Sequence, residues 1–186
     1  MDLITTFFNW RVLRDALPLL FEGLGVTVLL GLVSIVAGMV SGLLMALLRL
    51  YGIAPLRAAA RVYIDVFRSI PLLVLLVLVY YALPFVGVRL SSFAAAATAL
   101  SLVSCAYTAE IFRAGIQSIH VGQTQAAYSV GLTYPQAMRF IVLPQAFRRM
   151  MPALVNEGVT LIKDSSLVSR SRVTLLAAPN RSSGRC

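Results

Sequence analysis

Three uncharged runs dominate the chain, at residues 23–48, 69–88 and 90–109. As a helix rising about 1.5 Å per residue, the first would reach roughly 39 Å, enough to cross a roughly 30 Å hydrocarbon core with tilt. The other two are each about 20 residues long, the shortest comfortable crossing. Between them lies Leu83-Pro84-Phe85-Val86-Gly87-Val88-Arg89, a stretch of turn formers with one charge. A fourth and weaker run, residues 147–169, carries Arg148, Arg149, Pro152, Glu157, Lys163 and Asp164. The pattern predicts an all-α fold, a polytopic bundle of membrane helices with spans at about 23–48, 66–88 and 90–110, and a weak fourth candidate at 147–169. The transmembrane domain is then 23–169. Residues 1–22, with Ile4, Phe7, Phe8, Trp10 and Val12 among polar neighbours, read as an N-terminal interfacial segment or a frayed leader. They do not read as a secretory signal, because Arg11, Arg14, Asp15 and Glu22 interrupt them.

Composition agrees and removes alternatives. Of the 186 residues, 59% are apolar and 12% charged, and the mean hydropathy is +0.87. Soluble domains hold about 45–50% apolar and about 25% charged residues. A disordered tail and a disulfide scaffold are excluded, and so is a soluble enzyme of ordinary composition. The net charge of +9 comes from 16 Lys+Arg against 7 Asp+Glu. In a membrane chain this basic excess reports orientation, not nucleic-acid binding. Arg49, Arg57, Arg61 and Arg68 follow the first span. Arg113, Arg139, Arg148 and Arg149 follow the third, while the second turn has only Arg89. The positive-inside rule puts both Arg-rich connections in the cytoplasm and the N-terminus outside.

Catalytic chemistry finds no support. Cys105 and Cys186 have no metal or redox spacing, His120 is the single histidine, and no segment matches GxxxxGK[ST]. No carboxylate cluster stands beside a nucleophile, so a membrane enzyme is set aside. Any energetic work would draw on a nucleotide site in a partner.

Two small-residue stripes suggest close helix contacts. Ser34, Gly38, Gly42 and Ala46 recur every four residues in the first span, and Ala97, Ser101, Cys105 and Ala109 in the third. Such faces let helices approach closely in lipid. They suit helices that slide as well as helices packed statically.

The connection from about Arg113 to Arg149 is too long for a simple turn, and long connections tend to be functional. Residues 123–130 read as a short helix closed by Gly131. Thr133-Tyr134-Pro135 then offers a cap and a first-turn proline for a second helix. Pro144 predicts a kink or a re-entry into the membrane. Two short helices at a glycine elbow would fit a groove on a soluble partner.

Here the residues carry a resemblance. Gln125-Ala126-Ala127, three residues, Gly131, nine residues and Ile141-Val142-Leu143-Pro144 resemble the EAA segment of binding-protein-dependent ABC importer permeases. Gln125 departs from the usual Glu. The flanks resemble the polar amino-acid subfamily. They are Tyr63-Ile64-Asp65-Val66-Phe67-Arg68-Ser69-Ile70-Pro71-Leu72-Leu73, Ala106-Tyr107-Thr108-Ala109-Glu110-Ile111-Phe112-Arg113-Ala114-Gly115-Ile116 and Leu161-Ile162-Lys163-Asp164-Ser165-Ser166-Leu167-Val168. The resemblance covers roughly residues 18–169.

It implies the ABC importer type I permease fold, usually of five spans, in the bacterial inner membrane, and it brings in 147–169 as a span. The segment 120–144 would be the coupling segment, docked on a cytosolic dimer of ATP-binding subunits that holds ATP and Mg. This chain itself would carry no cofactor and would be no enzyme. A second permease, identical or similar, would complete the pathway, and a periplasmic amino-acid-binding protein would deliver substrate. Gln125, Ala126, Ala127, Gly131, Ile141, Leu143 and Pro144 carry over as ATPase-coupling residues. A neutral Gln keeps hydrogen bonding but not the charge-assisted contact that Glu can make.

Polar groups at membrane depth usually face a cavity or a partner. Glu110, Asn156, Glu157, Lys163 and Asp164 are therefore candidate pathway residues, or they pair within the bundle. Lys163 and Asp164, about 100° apart on a helix, cannot pair along one face. After Ser169 the family pattern stops. Residues 170–186 carry Arg170, Arg172, Arg181 and Arg185 and are expected to be an aberrant or disordered tail, from truncation or a shifted reading frame near Ser169. The alternative function is a truncated, non-transporting membrane remnant or adaptor.

Overall fold

The computed structural model describes residues 10–87 and 90–176. Its elements are α1 (Trp10–Tyr51), α2 (Ala54–Ser69), α3 (Leu72–Ala82), a 3-10 turn (Leu83–Val86), α4 (Ser92–Gln117), α5 (Val121–Ser129), α6 (Tyr134–Ala137), a π-helical turn (Met138–Val142) and α7 (Leu143–Leu176). No strand occurs among the described residues. The bundle centres on α4, which packs against α1, α2, α3 and α7.

The first span is longer than its uncharged run. α1 begins at Trp10 and continues without a break through residue 22, so this part of the expected interfacial segment belongs to the same helix. Leu13, Arg14, Ala16 and Leu17 are good helix formers, and the helix carries on through Pro18. Residues 1–9 lie outside the described residues.

The small face of α1 is where α4 approaches. Ser34, Gly38, Gly42 and Ala46 are all buried. A Cβ on Gly38 would come within 2.1 Å of Ser104 Oγ, and one on Gly42 within 2.0 Å of Thr108 Oγ1. Thr108 Oγ1 donates across this interface to the Gly38 carbonyl at 2.9 Å. In hydrocarbon, packing and such interhelical hydrogen bonds replace the hydrophobic drive. The partner stripe on α4 is shifted from the expected one. Cys105 and Ala109 are buried, but Ala97 and Ser101 are only half-buried, and Ser104 and Thr108 meet the glycines instead.

The second span does not run unbroken from residue 66. α2 ends at Ser69 and α3 starts at Leu72, bent by 106°. Proline disfavours helical backbone at the residue before it, and Ile70, before Pro71, is extended at φ −86, ψ 126. The expected turn after α3 closes on Gly87 at φ 84; residues 88–89 lie outside the described residues. Ser91 caps α4 by accepting the Ala94 N–H at 3.2 Å. α4 then passes the expected end at residue 110 and reaches Gln117.

Among the described residues, two helices are long and apolar enough to cross a membrane, Leu20–Tyr51 and Ser92–Gln117, with a third crossing if the bent α2–α3 pair counts as one. α7 does not meet that measure, yet it traverses the bundle. Met150 lies against Gly115 near the end of α4, and Ser165 Oγ donates to the Thr27 carbonyl of α1 at 3.2 Å. Residues 150 and 165 of a helix stand about 22 Å apart. Packing at Ala146, Met150, Leu161 and Ser165, all buried, thus supports a segment whose charges hide it from hydropathy. The backbone of residues 170–176, expected as tail, continues α7. Residues 177–186 lie outside the described residues.

Candidate functional site

Beyond Gln117 the chain leaves the bundle and returns as an elbow. His120 opens α5: its Nδ1 accepts the Gly122 N–H at 3.0 Å. Histidine is not a usual N-cap, so the sequence offered no signal for this role.

α5 ends in a full Schellman motif. The Leu132 N–H donates to the Ala127 carbonyl at 3.1 Å and the Gly131 N–H to the Tyr128 carbonyl at 3.0 Å. Gly131 sits at φ 81, the left-handed conformation this motif requires and that glycine adopts without steric cost. The expectation of a glycine-closed helix is met in atomic detail. Thr133 then starts α6, its N–H donating to Gln136 Oε1 at 2.8 Å, with Pro135 in the first turn.

The second arm is not a separate short helix. α6 passes through the π-helical turn straight into α7, where the Leu143 N–H donates to the Met138 carbonyl. Pro144 has no N–H to give and its ring crowds the carbonyl four residues back. A π-turn just before it widens the helix and absorbs the conflict without breaking the chain. Pro144 therefore marks a register change inside a continuous helix.

Burial sorts the seven residues expected to couple into two groups. Ala127 is 1% exposed, and Ile141 is half-buried. Gln125, Ala126, Gly131, Leu143 and Pro144 are exposed. Ala127 thus holds the elbow closed, together with buried Ala137, Val142 and Ala146, while Gln125 and Ala126 face outward. Val130, 77% exposed, extends this outer face.

Side chains tie the elbow to the bundle. Gln145 Nε2 donates to Gln123 Oε1 at 3.2 Å, joining α7 to α5. Tyr134 and Tyr51 hydroxyls stand 3.3 Å apart, joining α6 to the end of α1. An apolar cavity of about 330 Å³ lies there, lined by Leu47, Tyr51, Ile116, Tyr134, Met138 and Leu143. Arg149 of α7 donates to the Ser118 carbonyl at the end of α4.

Just above the elbow, Glu110 Oε2 accepts from Arg49 Nη1 at 2.7 Å and from Arg113 Nε at 3.0 Å. Arg113 Nη2 also pairs with Glu110 Oε1, and Arg113 reaches Gln117. A carboxylate held by two guanidiniums makes strong, oriented hydrogen bonds. Glu110 therefore joins α1 to α4 rather than standing unpaired on the pathway. The signal was present in sequence: Glu110 and Arg113 have the i,i+3 spacing, and Arg49 ends the neighbouring span. Glu110 also edges a groove of about 370 Å³, lined with Arg68, Tyr107, Ser118, Arg149 and Met150.

The other pathway candidates lie on α7. Asn156 and Lys163 are exposed, and Glu157 and Asp164 half-buried. Seven residues make nearly two helical turns, so Glu157 and Asp164 share a face and bring two carboxylates into line. Neither ion pair among the described residues uses Glu157, Lys163 or Asp164.

Known proteins share this arrangement. Residues 34–170 match the family described as binding-protein-dependent transport system inner membrane component. The probable amino-acid ABC transporter permease protein YckA of Bacillus subtilis (strain 168) is 43% identical over 162 residues, covering 87% of this chain and 72% of its own length. The glutamate/aspartate import permease protein GltK of Escherichia coli O6:H1 is 41% identical over 172 residues, covering 87% of this chain and 75% of its own. The crystal structure of an amino acid ABC transporter with histidines superposes with a TM-score of 0.81 at 40% identity, covering 86% of this chain and 75% of that chain. Fold and sequence agree: the chain belongs to the binding-protein-dependent transport system inner membrane components.

Proposed function

We propose that this chain is the permease subunit of an ATP-driven amino-acid importer, and that its elbow docks on a cytosolic ATP-binding subunit. The carrying observation is the Schellman-closed turn at Gly131, which presents Gln125 and Ala126 outward while Ala127 anchors it from within. An elbow tied to α1, α4 and α7 moves with them, so a partner that displaces it displaces the helices. The amino-acid substrate class is supported by the names of the relatives, YckA and GltK.

In this reading ATP and Mg belong to the partner dimer. The elbow end of the bundle is cytoplasmic and the N-terminus periplasmic, as the arginine placement favours. A second permease completes the pathway and a periplasmic binding protein supplies the amino acid. Asn156, Glu157, Lys163 and Asp164 of α7 line the route, where polar groups in a bilayer are otherwise costly. Reconstitution tests it: the chain, the ATP-binding subunit and the binding protein in vesicles should give ATP-dependent amino-acid uptake. Association with the ATP-binding subunit but no uptake of any amino acid would sink the importer reading.

A further inference from the structure

Helix α2 has a cationic flank that neither the elbow nor the pathway uses. At 3.6 residues per turn, Arg57, Arg61 and Arg68 fall within about 40° of one another around the helix. Val62 and Val66 lie on a second flank, about 140° away. The third side of the helix packs inward, with Ala60 and Ile64 buried and Tyr63 Oη donating to the Leu102 carbonyl at 2.9 Å, while the arc directly between the two flanks carries exposed Ala58 and Asp65. Both outer flanks are open. Arg57 and Arg61 are exposed, and Val62 and Val66 are 62% and 46% exposed.

The level of α2 is fixed by its packing. Ile64 clusters with Ala46 and Ala109, three residues before Arg49 and one before Glu110. Arg49 and Glu110 are the first charges after the two uncharged runs, and they bond to each other. α2 therefore lies where the apolar bundle meets its charged end, and it turns by 106° before α3. The arginine flank faces the charged end, since Arg68 shares a groove with Glu110, Ser118 and Arg149. The valine flank points the other way, toward the apolar depth.

We infer that α2 is an interfacial helix that binds anionic phospholipid headgroups through Arg57 and Arg61, with Val62 and Val66 set among the acyl chains. A lipid surface is the occupant that offers anionic groups and hydrocarbon at these two heights at once. Asp65 is the one acid on α2. Arg57 Nη2 bonds only to a carbonyl, that of Gly52, at 3.1 Å, and neither ion pair among the described residues uses Arg57 or Arg61. Their charges are available to phosphate. The inference needs the bundle to sit in a bilayer; it does not need the elbow to dock an ATPase.

The test uses the full chain in vesicles of phosphatidylcholine, alone or mixed equally with phosphatidylglycerol. Native mass spectrometry after extraction counts retained phosphatidylglycerol. The double variant Arg57→Gln, Arg61→Gln should retain it about tenfold less tightly, or weaker still. Fluorophores on Val62→Cys and Val66→Cys, in otherwise unaltered chain, should be quenched by acyl-chain quenchers and shielded from iodide. Unchanged phosphatidylglycerol retention in the double variant would overturn the inference. So would iodide access at residues 62 and 66, a result that holds even if the double variant misfolds. Shielding of a label on Arg61→Cys only when the ATP-binding subunit is added would assign the flank to a protein partner instead.

Discussion

The hydroxyl of Thr108 on α4 donates to the carbonyl of Gly38 on α1 at 2.9 Å. That distance is possible only because α1 presents no side chain there. One helical turn later, a Cβ on Gly42 would lie 3.0 Å from both the Ala109 nitrogen and the Cys105 carbonyl oxygen. These are backbone atoms and cannot rotate away. Gly42→Ala should therefore destabilise the bundle by about 1–3 kcal/mol, the usual cost of over-packing. Gly31→Ala would meet the side chain of Ile162 at 3.3 Å and should cost less. Thermal unfolding in detergent separates the two.

The same interface supplies a contrasting pair of hydroxyls. Ser104 Oγ is buried without a hydrogen-bond partner, whereas Thr108 Oγ1 is bonded. Ser104→Ala removes an unpaired polar group and should be neutral or stabilising by up to about 1 kcal/mol. Thr108→Val should cost about 0.6 kcal/mol, typical of an interhelical hydrogen bond in a membrane. Unfolding in denaturing detergent should come earlier for Thr108→Val, and no earlier than wild type for Ser104→Ala.

Glu110 is the joint between α1 and α4. Glu110→Gln leaves Arg49 and Arg113 without their shared carboxylate and should cost about 1.5–3 kcal/mol, as for hydrogen bonds to charged groups. A double-mutant cycle with Arg49→Gln should show coupling of about 0.5–3 kcal/mol. Additive effects in that cycle would mean that the pair contributes nothing to holding the helices.

Much of this fold was legible because lipid imposes simple rules. The uncharged runs located α1 and α4, and the four-residue stripe named the glycines that meet α4. The break between α2 and α3 was also written in sequence, at Pro71, but an uncharged run through it masks the bend. α7 was harder, since its crossing rests on contacts with Gly115 and Thr27 that have no local signature. The elbow's glycine could be read from spacing, whereas the inward turn of Ala127 could not. Its neighbour Ala126 has the same composition and the opposite exposure, and only packing distinguishes them.

Gly131 has open space around it, and its φ of 81 is what restricts substitution. Gly131→Ala should cost about 1–2 kcal/mol of local backbone strain. Gly131→Asn should cost less, because asparagine tolerates the left-handed region. The expected readout is uncoupling: ATP hydrolysis by the reconstituted complex continues while uptake falls, more for Ala than for Asn. Equal uptake in all three forms would show that the closed turn is dispensable.

Glu157 and Asp164 share one face of α7. If that face lines the route, Glu157→Ala should alter the uptake rate or the preference among cationic, neutral and acidic amino acids while leaving association with the ATP-binding subunit unchanged. Competition uptake in vesicles measures this. Unaltered uptake and unaltered preference would remove Glu157 from the pathway.

The coupling role of the elbow is tested most directly by the affinity of the permease for its ATP-binding subunit, measured on two neighbouring alanines. Ala126 is exposed and Ala127 is 1% exposed. Ala126→Arg should weaken association about tenfold or more, as expected where a side chain contributes over about 1.4 kcal/mol to binding, with unfolding temperature unchanged. Ala127→Leu should lower the unfolding temperature first. Wild-type affinity and wild-type uptake in a well-folded Ala126→Arg variant would contradict the docking of this elbow on the ATPase.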